Sequence, residues 1–139
     1  MTFETLTTNA LIENLDAVIA FAEDRAEQFG LDTKKKFGLL IAVEEAFVNV
    51  CHYAYPQTPG TVSVTCGSEG EAFVVEIADH GEPFDVLSLP DPDITADIID
   101  REIGGLGVFF IRKLTNDVSY RREEGRNILR MVLHKALPG

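Results

Sequence analysis

An acid and a carboxamide lie four residues apart in the apolar run IAVEEAFVNVCHYAY, residues 41–55. Residues at i and i+4 of a helix have Cβ atoms about 5–6 Å apart, so Glu45 and Asn49 can reach a common ligand. Mg²⁺ binds oxygen atoms and usually keeps phosphate oxygens and water among its ligands. Asn49 can therefore supply one metal ligand while Glu45 remains available for proton transfer. For an isolated pair, the solvated side of an amphipathic helix is the commoner explanation.

A second acid stands where a predicted strand ends. Asp79 continues the alternating row of Phe73, Val75 and Ile77, which places it on the buried face. A buried carboxylate needs a hydrogen-bond donor, and the amino group of adenine is one. Gly81 would let the chain turn at once and leave room for the flat ring. An Asx turn that closes the strand is the simpler alternative.

A glycine cluster opens the next predicted helix. It comprises Gly104, Gly105, Leu106 and Gly107. Unhindered backbone amides at the positive end of a helix dipole bind phosphate, although a plain hinge would also use glycines. The Gly-Lys-Ser ending of a Walker motif is missing, and no strand leads into the cluster as a dinucleotide-binding turn requires. Three nearby cations can neutralise a triphosphate or remain solvated: Arg101, Arg112 and Lys113.

Hydrophobic periodicity predicts the elements that must hold these residues. An edge strand covers residues 3–7, a helix capped by Asn9 ends at Gly30, and a second helix runs from Asp32 or Thr33 to about Tyr53. Further along the chain we predict a hairpin over 61–77 that turns at 67–70, a lid loop over 83–103 with a helical turn near 96–100, a helix over 106–114, and a hairpin over 118–134 that turns at 124–125. This order predicts an α+β fold, a two-layer sandwich with helices on one face of a mixed, mostly antiparallel sheet.

Composition limits the class of protein. With 139 residues and 45% hydrophobic content, we expect one domain over residues 1–139. The 23 acidic and 12 basic residues give a formal net charge of −11, which disfavours direct binding to nucleic acid or membrane and favours a protein partner with a basic face. An acidic composition is equally well explained by a need for solubility.

The sequence has no apolar run long enough to span a membrane and no signal-like start, so we expect a cytoplasmic protein. We expect its two cysteines, Cys51 and Cys66, to be reduced and buried.

The ordered combination of these segments resembles the GHKL ATPases, and within them the anti-sigma-factor serine/threonine kinases. The segments that carry the resemblance are EAFVN at 45–49, DHGEPFD at 79–85, GGLG at 104–107 and GRNIL at 125–129. The similarity spans nearly the whole chain. The sequence departs from many relatives in its short, aspartate-rich lid, in the uncharged Gly-Gly step at 104–105 and in His80, where a small polar residue is often found.

The resemblance implies a histidine-kinase-like ATPase fold that binds ATP and Mg²⁺ and phosphorylates a serine or threonine of an anti-sigma-factor antagonist. It implies that Glu45 is the general base, Asn49 the magnesium ligand and Asp79 the adenine anchor. The remaining residues implied to bind nucleotide, together with Asn49 and Asp79, are Gly81, Phe84, Gly104, Gly105, Leu106, Gly107 and Asn127. A sigma factor is implied as a second partner, and a homodimer as an assembly that the family can form.

Two other functions compete with the kinase. One is a nucleotide-gated protein-binding module with little or no phosphoryl transfer. The other is the catalytic fragment of a sensor histidine kinase, which ranks last because the sequence shows no pattern for dimerisation helices or a phosphoacceptor histidine segment. We assign His52, at the end of the second helix, a supporting role. The sequence identifies neither the antagonist nor the sigma factor.

Overall fold

The computed structural model describes residues 1–88 and 105–135. In chain order, the elements are β1 (Glu4–Asn9), a 3-10 turn (Ile12–Asn14), α1 (Leu15–Phe29), α2 (Thr33–Tyr53), β2 (Thr61–Glu69), β3 (Ala72–Asp79), a second 3-10 turn (Val86–Ser88), α3 (Gly105–Leu114), β4 (Asp117–Glu123) and β5 (Arg126–His134). The predicted helical turn near 96–100, most of the predicted lid, Arg101 and Gly104 lie outside the described residues.

The five strands form one sheet in the order β1-β2-β3-β5-β4, and every pairing among the described residues is antiparallel. The three helices cover one face of this sheet, so the predicted α+β sandwich is confirmed. The buried core includes Val18, Leu39, Val43 and Phe47 from the helices and Val64, Phe73, Val75, Ile77, Met131 and Leu133 from the strands. No helix among the residues that the structure describes combines the length and apolar character needed to cross a membrane.

The helix α2 begins and ends as its local sequence signals predict. The Asp32 side chain accepts a hydrogen bond from the Lys35 amide at 2.9 Å and so caps the first turn. The preceding helix, α1, ends at Gly30, which has φ +90°. The Gly30 amide donates to the Ala26 and Glu27 carbonyls and so closes the last turn of that helix. The apolar side of α2 packs on the sheet, which fixes the rotation of the helix and hence the positions of Glu45 and Asn49.

Two details of the predicted elements are wrong. Asn9 does not cap a helix: it is the last residue of β1, paired with Thr61, and α1 begins only at Leu15 after the 3-10 turn. Gly67 does not turn a hairpin: it lies inside β2, and the turn comes at Gly70, where φ is +59°. Its lack of a side chain instead allows the Phe3 ring to pack against β2, because a Cβ at Gly67 would lie 2.4 Å from that ring.

The second hairpin forms where the sequence predicts it. Its turn is made by Glu124 and Gly125, with φ angles of 50° and 76°, the left-handed pair that a two-residue hairpin requires. The register of β3 with β5 then places Asp79 directly opposite Asn127. This pairing brings two distant polar residues to one end of the sheet, under the C-terminal half of α2.

Candidate functional site

A cavity of about 420 Å³, counted with the open space at its mouth, lies between α2 and the sheet. Most of its lining is apolar: Ala46, Val50, Ala54, Ile77, Phe84, Val86 and Leu129. The polar lining is Asn49, Asp79, Tyr120 and Asn127. An apolar slot with a few polar groups at one end is the usual form of a small-molecule site. Such a slot suits a flat, weakly polar ring better than a fully charged ligand.

Asp79 is buried at this polar end, with 5% of its surface exposed. Its Oδ1 accepts hydrogen bonds from the Gly81 amide at 2.8 Å and from Asn127 Nδ2 at 2.9 Å. The Asx turn considered as the simpler alternative is therefore present. Because both bonds end on Oδ1, the second oxygen remains available to accept a hydrogen bond from a ligand.

Asn127 has every polar atom of its side chain engaged. Its Nδ2 donates to Asp79 Oδ1 and, at 2.7 Å, to the Glu82 carbonyl, while its Oδ1 accepts from the Phe84 amide at 3.1 Å and from the Tyr120 hydroxyl at 2.6 Å. We infer that Asn127 holds Asp79 and the segment after β3 in place rather than contacting a ligand. Sequence reasoning missed Tyr120, although it follows Val118 on the inward row of β4.

Asn49 is also buried, with 5% exposure, and its Nδ2 has no hydrogen-bond partner in the described part of the chain. A buried, unsatisfied amide costs about 1–3 kcal/mol, so it is retained where a ligand satisfies it or where function requires it. The alternative explanation, that this pair lies on the solvated side of an amphipathic helix, therefore does not hold for Asn49. An orphaned carboxamide in the cavity wall fits a site for a ligand with oxygen atoms.

Glu45 lies beside the first turn of α3. A Cβ at Gly107 would come within 2.8 Å of Glu45 Oε2, so the absence of a side chain permits this approach. Glu45 is half-buried, and burial, with a smaller contribution from the Glu44 carboxylate, raises the pKa of Glu45 above its ordinary value. The predicted convergence of the acid on α2 with the glycine segment is therefore present in the structure.

The remaining glycines occupy distinct positions. Gly105, Leu106 and Gly107 form the start of α3, and Gly104 precedes the residues described there. Gly81 contacts the end of α2, because a Cβ there would lie 2.1 Å from the Ala54 carbonyl oxygen. The space that we assigned to a ligand ring beside Gly81 is therefore occupied by the helix end. Arg122, which sequence reasoning missed, secures the same turn by donating to the Gly81 carbonyl at 2.8 Å.

Phe84, like Tyr120, is an aromatic residue of the cavity wall. Its ring stacks on Tyr53, with centroids 5.1 Å apart and an interplanar angle of 28°. Tyr53 is the last residue of α2, so this stack joins the helix end to the segment that follows β3. His52 and His80 are both exposed at this end of the molecule, and the His80 amide donates to the Tyr55 hydroxyl at 2.8 Å.

Two of the three predicted cations, Arg112 and Lys113, lie in the described part of the chain. Arg112 donates to the Leu87 carbonyl and so ties α3 to the second 3-10 turn. Lys113 lies 5.7 Å from the centroid of the Phe109 ring. Both thus have contacts within the protein. Cys66 is buried and Cys51 half-buried, and both are free thiols, as the sequence led us to expect apart from the partial exposure of Cys51.

Comparison with known proteins adds to this geometry. A family model described as the histidine kinase-like ATPase domain matches residues 8–133. The chain is similar to the serine/threonine-protein kinase BtrW of Bordetella bronchiseptica, at 28% identity over 102 residues, which cover 73% of this chain and 72% of BtrW. It is also similar to the serine-protein kinase RsbW of Bacillus cereus strain AH187, at 28% identity over 93 residues, 64% of this chain and 58% of RsbW. The chain thus spans less than two thirds of RsbW.

The fold has a counterpart among solved structures. The crystal structure of the RsbU and RsbW domains of Rv1364c from Mycobacterium tuberculosis superposes with a TM-score of 0.70 over 99% of this chain and 34% of that chain. The sequence identity is 14%, so this likeness concerns the fold alone.

Proposed function

This chain belongs to the histidine kinase-like ATPase domain family, which implies ATP binding, and from that premise we propose that it is an ATP-dependent serine/threonine protein kinase. Its protein substrate would be an anti-sigma-factor antagonist, and a sigma factor would be its second partner. The observation that carries the proposal is the approach of Glu45 to the first turn of α3, beside a cavity lined by Asn49 and Asp79. The names of two similar proteins, both kinases, support the reaction class.

The residues present fit ATP and Mg²⁺. The apolar lining of the slot suits a flat ring such as adenine, and the second oxygen of Asp79 could accept a hydrogen bond from the adenine amino group. Asn49 would hold the magnesium ion through its Oδ1 oxygen, and its unpartnered Nδ2 could donate to an oxygen of the ligand. When bound, that ion would neutralise charge on the phosphate oxygens during transfer.

Glu45 is the residue that we propose as general base. Its raised pKa brings the carboxylate closer to the working pH, where an acceptor of a hydroxyl proton is most effective. Its position next to Gly107 places it where the amides of α3 would meet a phosphate. The chain's own contribution is thus to orient the substrate hydroxyl, accept its proton and support the phosphates with backbone amides.

The test compares wild type, Glu45→Gln and Glu44→Gln. Each purified protein is incubated with labelled ATP, Mg²⁺ and an anti-sigma-factor antagonist protein, and ATP affinity is measured in parallel. Positioned bases contribute about 10²–10⁴-fold, so we expect a loss of that order in transfer for Glu45→Gln with little change in ATP affinity. The exposed neighbour Glu44 loses the same charge and should leave transfer near the wild-type rate.

Two outcomes would overturn this mechanism. Undiminished transfer by Glu45→Gln would remove that carboxylate from the chemistry. ATP binding by the wild type without any transfer to the antagonist would favour the alternative of a nucleotide-gated binding module.

A further inference from the structure

An apolar groove lies between α1 and α2, on the side of both helices that faces solvent. Its floor is formed by Leu15 and Ile19 of α1 and by Phe37, Leu40 and Ile41 of α2. We call it the outer groove. Its volume is about 740 Å³, counted with the open space above it. Leu15, Ile19 and Leu40 also pack against the main core, so the floor is held in place by the fold.

Phe37 is the most exposed large apolar residue in the described part of the chain, with 67% of its surface in contact with solvent. It follows the helical spacing of Leu40 and Ile41 on the same side of α2, which makes the three a continuous stripe. A contiguous apolar surface of this kind marks an interaction site more often than a scattered exposed side chain does. Within the described residues, Phe37 is neither part of the buried core nor packed against it.

The rim of the outer groove is acidic. Asp16 and Glu23 border it on α1, and Glu44 borders it on α2. Lys36, next to Phe37, is engaged by Glu27 at 2.8 Å, and Lys34 and Lys35 line a different pocket. The groove therefore presents apolar surface edged by negative charge, in a chain whose formal net charge is −11.

We propose that the outer groove is the docking site for an amphipathic helical segment of a partner protein that carries apolar side chains on one face and lysine or arginine beside them. Laying the apolar face of a helix into a groove is a common mode of peptide recognition, and opposite charge along the rim fixes its orientation and speeds association. A second copy of this chain fits less well, because a symmetric contact would place one acidic rim against the other.

This site is separate from the proposed nucleotide site. Both involve α2, but the stripe lies in the part of the helix that precedes Glu45, and the residues that line the outer groove are different from those that line the nucleotide cavity. Binding to the outer groove is therefore expected without ATP, and its failure would leave the proposed kinase function untouched.

The test uses the full chain and two fluorescein-labelled model peptides of about 15 residues, roughly 22 Å long as helices. Both carry leucines on one face; one has lysines beside them and the other has glutamates. Binding is followed by fluorescence anisotropy without nucleotide, at low and physiological salt. We expect the lysine peptide to bind, more weakly as salt rises, and the glutamate peptide not to bind.

Matched variants locate the contact. Phe37→Ser should weaken binding of the lysine peptide by about tenfold or more, whereas Phe110→Ser, which removes an exposed phenylalanine from α3, should not. Glu23→Lys should weaken binding and reduce its salt dependence, whereas Glu71→Lys, at the exposed turn between β2 and β3, should have a smaller effect. Both groove positions are solvent-exposed, so the variants are expected to fold.

Three results would overturn the proposal. The first is equal binding of the two peptides, and the second is binding that Phe37→Ser and Glu23→Lys leave unchanged. The third is self-association of the wild type in sedimentation analysis that Phe37→Ser abolishes, which would make the groove an interface between copies of this chain.

Discussion

Asp79 carries two hydrogen bonds on one oxygen, and the other oxygen accepts none within the described residues. Asp79→Asn can keep both bonds by accepting through its carbonyl oxygen, but it then offers an NH₂ group where the carboxylate offered an acceptor. We expect a variant that melts near the wild-type temperature but loses most of the stabilisation that ATP and Mg²⁺ confer. Thermal unfolding with and without ligand measures both effects.

Asn127→Ala is the contrasting control. It removes the side chain that joins Asp79 to the Glu82 carbonyl and the Phe84 amide, leaving buried groups without partners. It should lower the free energy of unfolding by about 2–4 kcal/mol even without ligand. If Asp79→Asn instead keeps the full ligand-induced stabilisation, Asp79 serves only its Asx turn.

Glu45 gives a pH-dependent prediction. Because burial raises its pKa above the ordinary value of 4.5, the folded state binds this proton more tightly than the unfolded state does. The ionised carboxylate therefore lowers stability above the raised pKa, and this penalty disappears as the pH falls below 4.5. We expect Glu45→Gln to be more stable than wild type at about pH 7, with a difference that closes by about pH 4.

Denaturant unfolding of both proteins across this pH range measures that difference. Glu44→Gln is the control, since it removes a carboxylate from the exposed neighbouring position. A constant difference between Glu45→Gln and wild type at every pH would mean that the amide acts through packing or hydrogen bonding rather than through charge.

At the scale of elements, two glycines permit close contacts with α2. Gly81 allows the turn after β3 to approach the end of α2, and Gly107 allows α3 to approach Glu45, so replacing each by alanine should distinguish their roles. At Gly81 the new methyl would meet the Ala54 carbonyl at 2.1 Å, a backbone atom that cannot move without shifting the end of α2. At Gly107 it would meet only the end of the flexible Glu45 side chain, at 2.8 Å. We expect Gly81→Ala to destabilise the fold, and Gly107→Ala to fold well, since alanine favours helix, but to transfer phosphate slowly.

Melting temperature and phosphoryl transfer, measured on both variants, distinguish these effects. If Gly107→Ala keeps wild-type transfer, the proximity of α3 to Glu45 has no part in the reaction. A Gly81→Ala variant as stable as wild type would mean that the turn after β3 relaxes away from α2 at little cost.

The sequence predicts elements whose ends are marked locally. The cap at Asp32, the turn at Gly125 and the alternation of β3 and β5 each depend on neighbours in the chain, and each is found where predicted. Asn9 and Gly67 were assigned wrongly because their roles depend on distant partners, Thr61 and Phe3. A residue type that favours caps or turns does not by itself distinguish a strand end or a packing contact.

The same distinction applies to the site. Alternation predicts that Asp79 lies on the buried face, and the strand register seen in the structure sets it opposite Asn127. The approach of Glu45 to the glycine segment was expected from the resemblance. Alternation could have placed Tyr120 on the inward row after Val118, but its hydrogen bond to Asn127 was not predictable, and neither was the bond from Arg122 to the Gly81 carbonyl, because both depend on the folded structure.

At the scale of the whole molecule, the net charge of −11 acts on every state of the chain. Self-repulsion destabilises a compact, strongly charged molecule, and salt screens it because the Debye length falls from about 30 Å at 0.01 M to about 8 Å at 0.15 M. A few ion pairs act in the opposite sense, such as Glu76 with Arg121 at 3.2 Å and Arg130 at 3.1 Å. With 23 acids against 12 bases, repulsion should prevail.

We therefore expect the melting temperature at neutral pH to rise by a few degrees when sodium chloride increases from about 0.01 to 0.15 M. Near the isoelectric point of about 4.6, many carboxylates are protonated and the net charge is small, so the rise should largely disappear. Thermal unfolding at about pH 7.5 and pH 5 in the same salt series tests this. An equal rise at both pH values would assign the effect to general salt action on apolar surface, and a fall at neutral pH would mean that the ion pairs outweigh the repulsion.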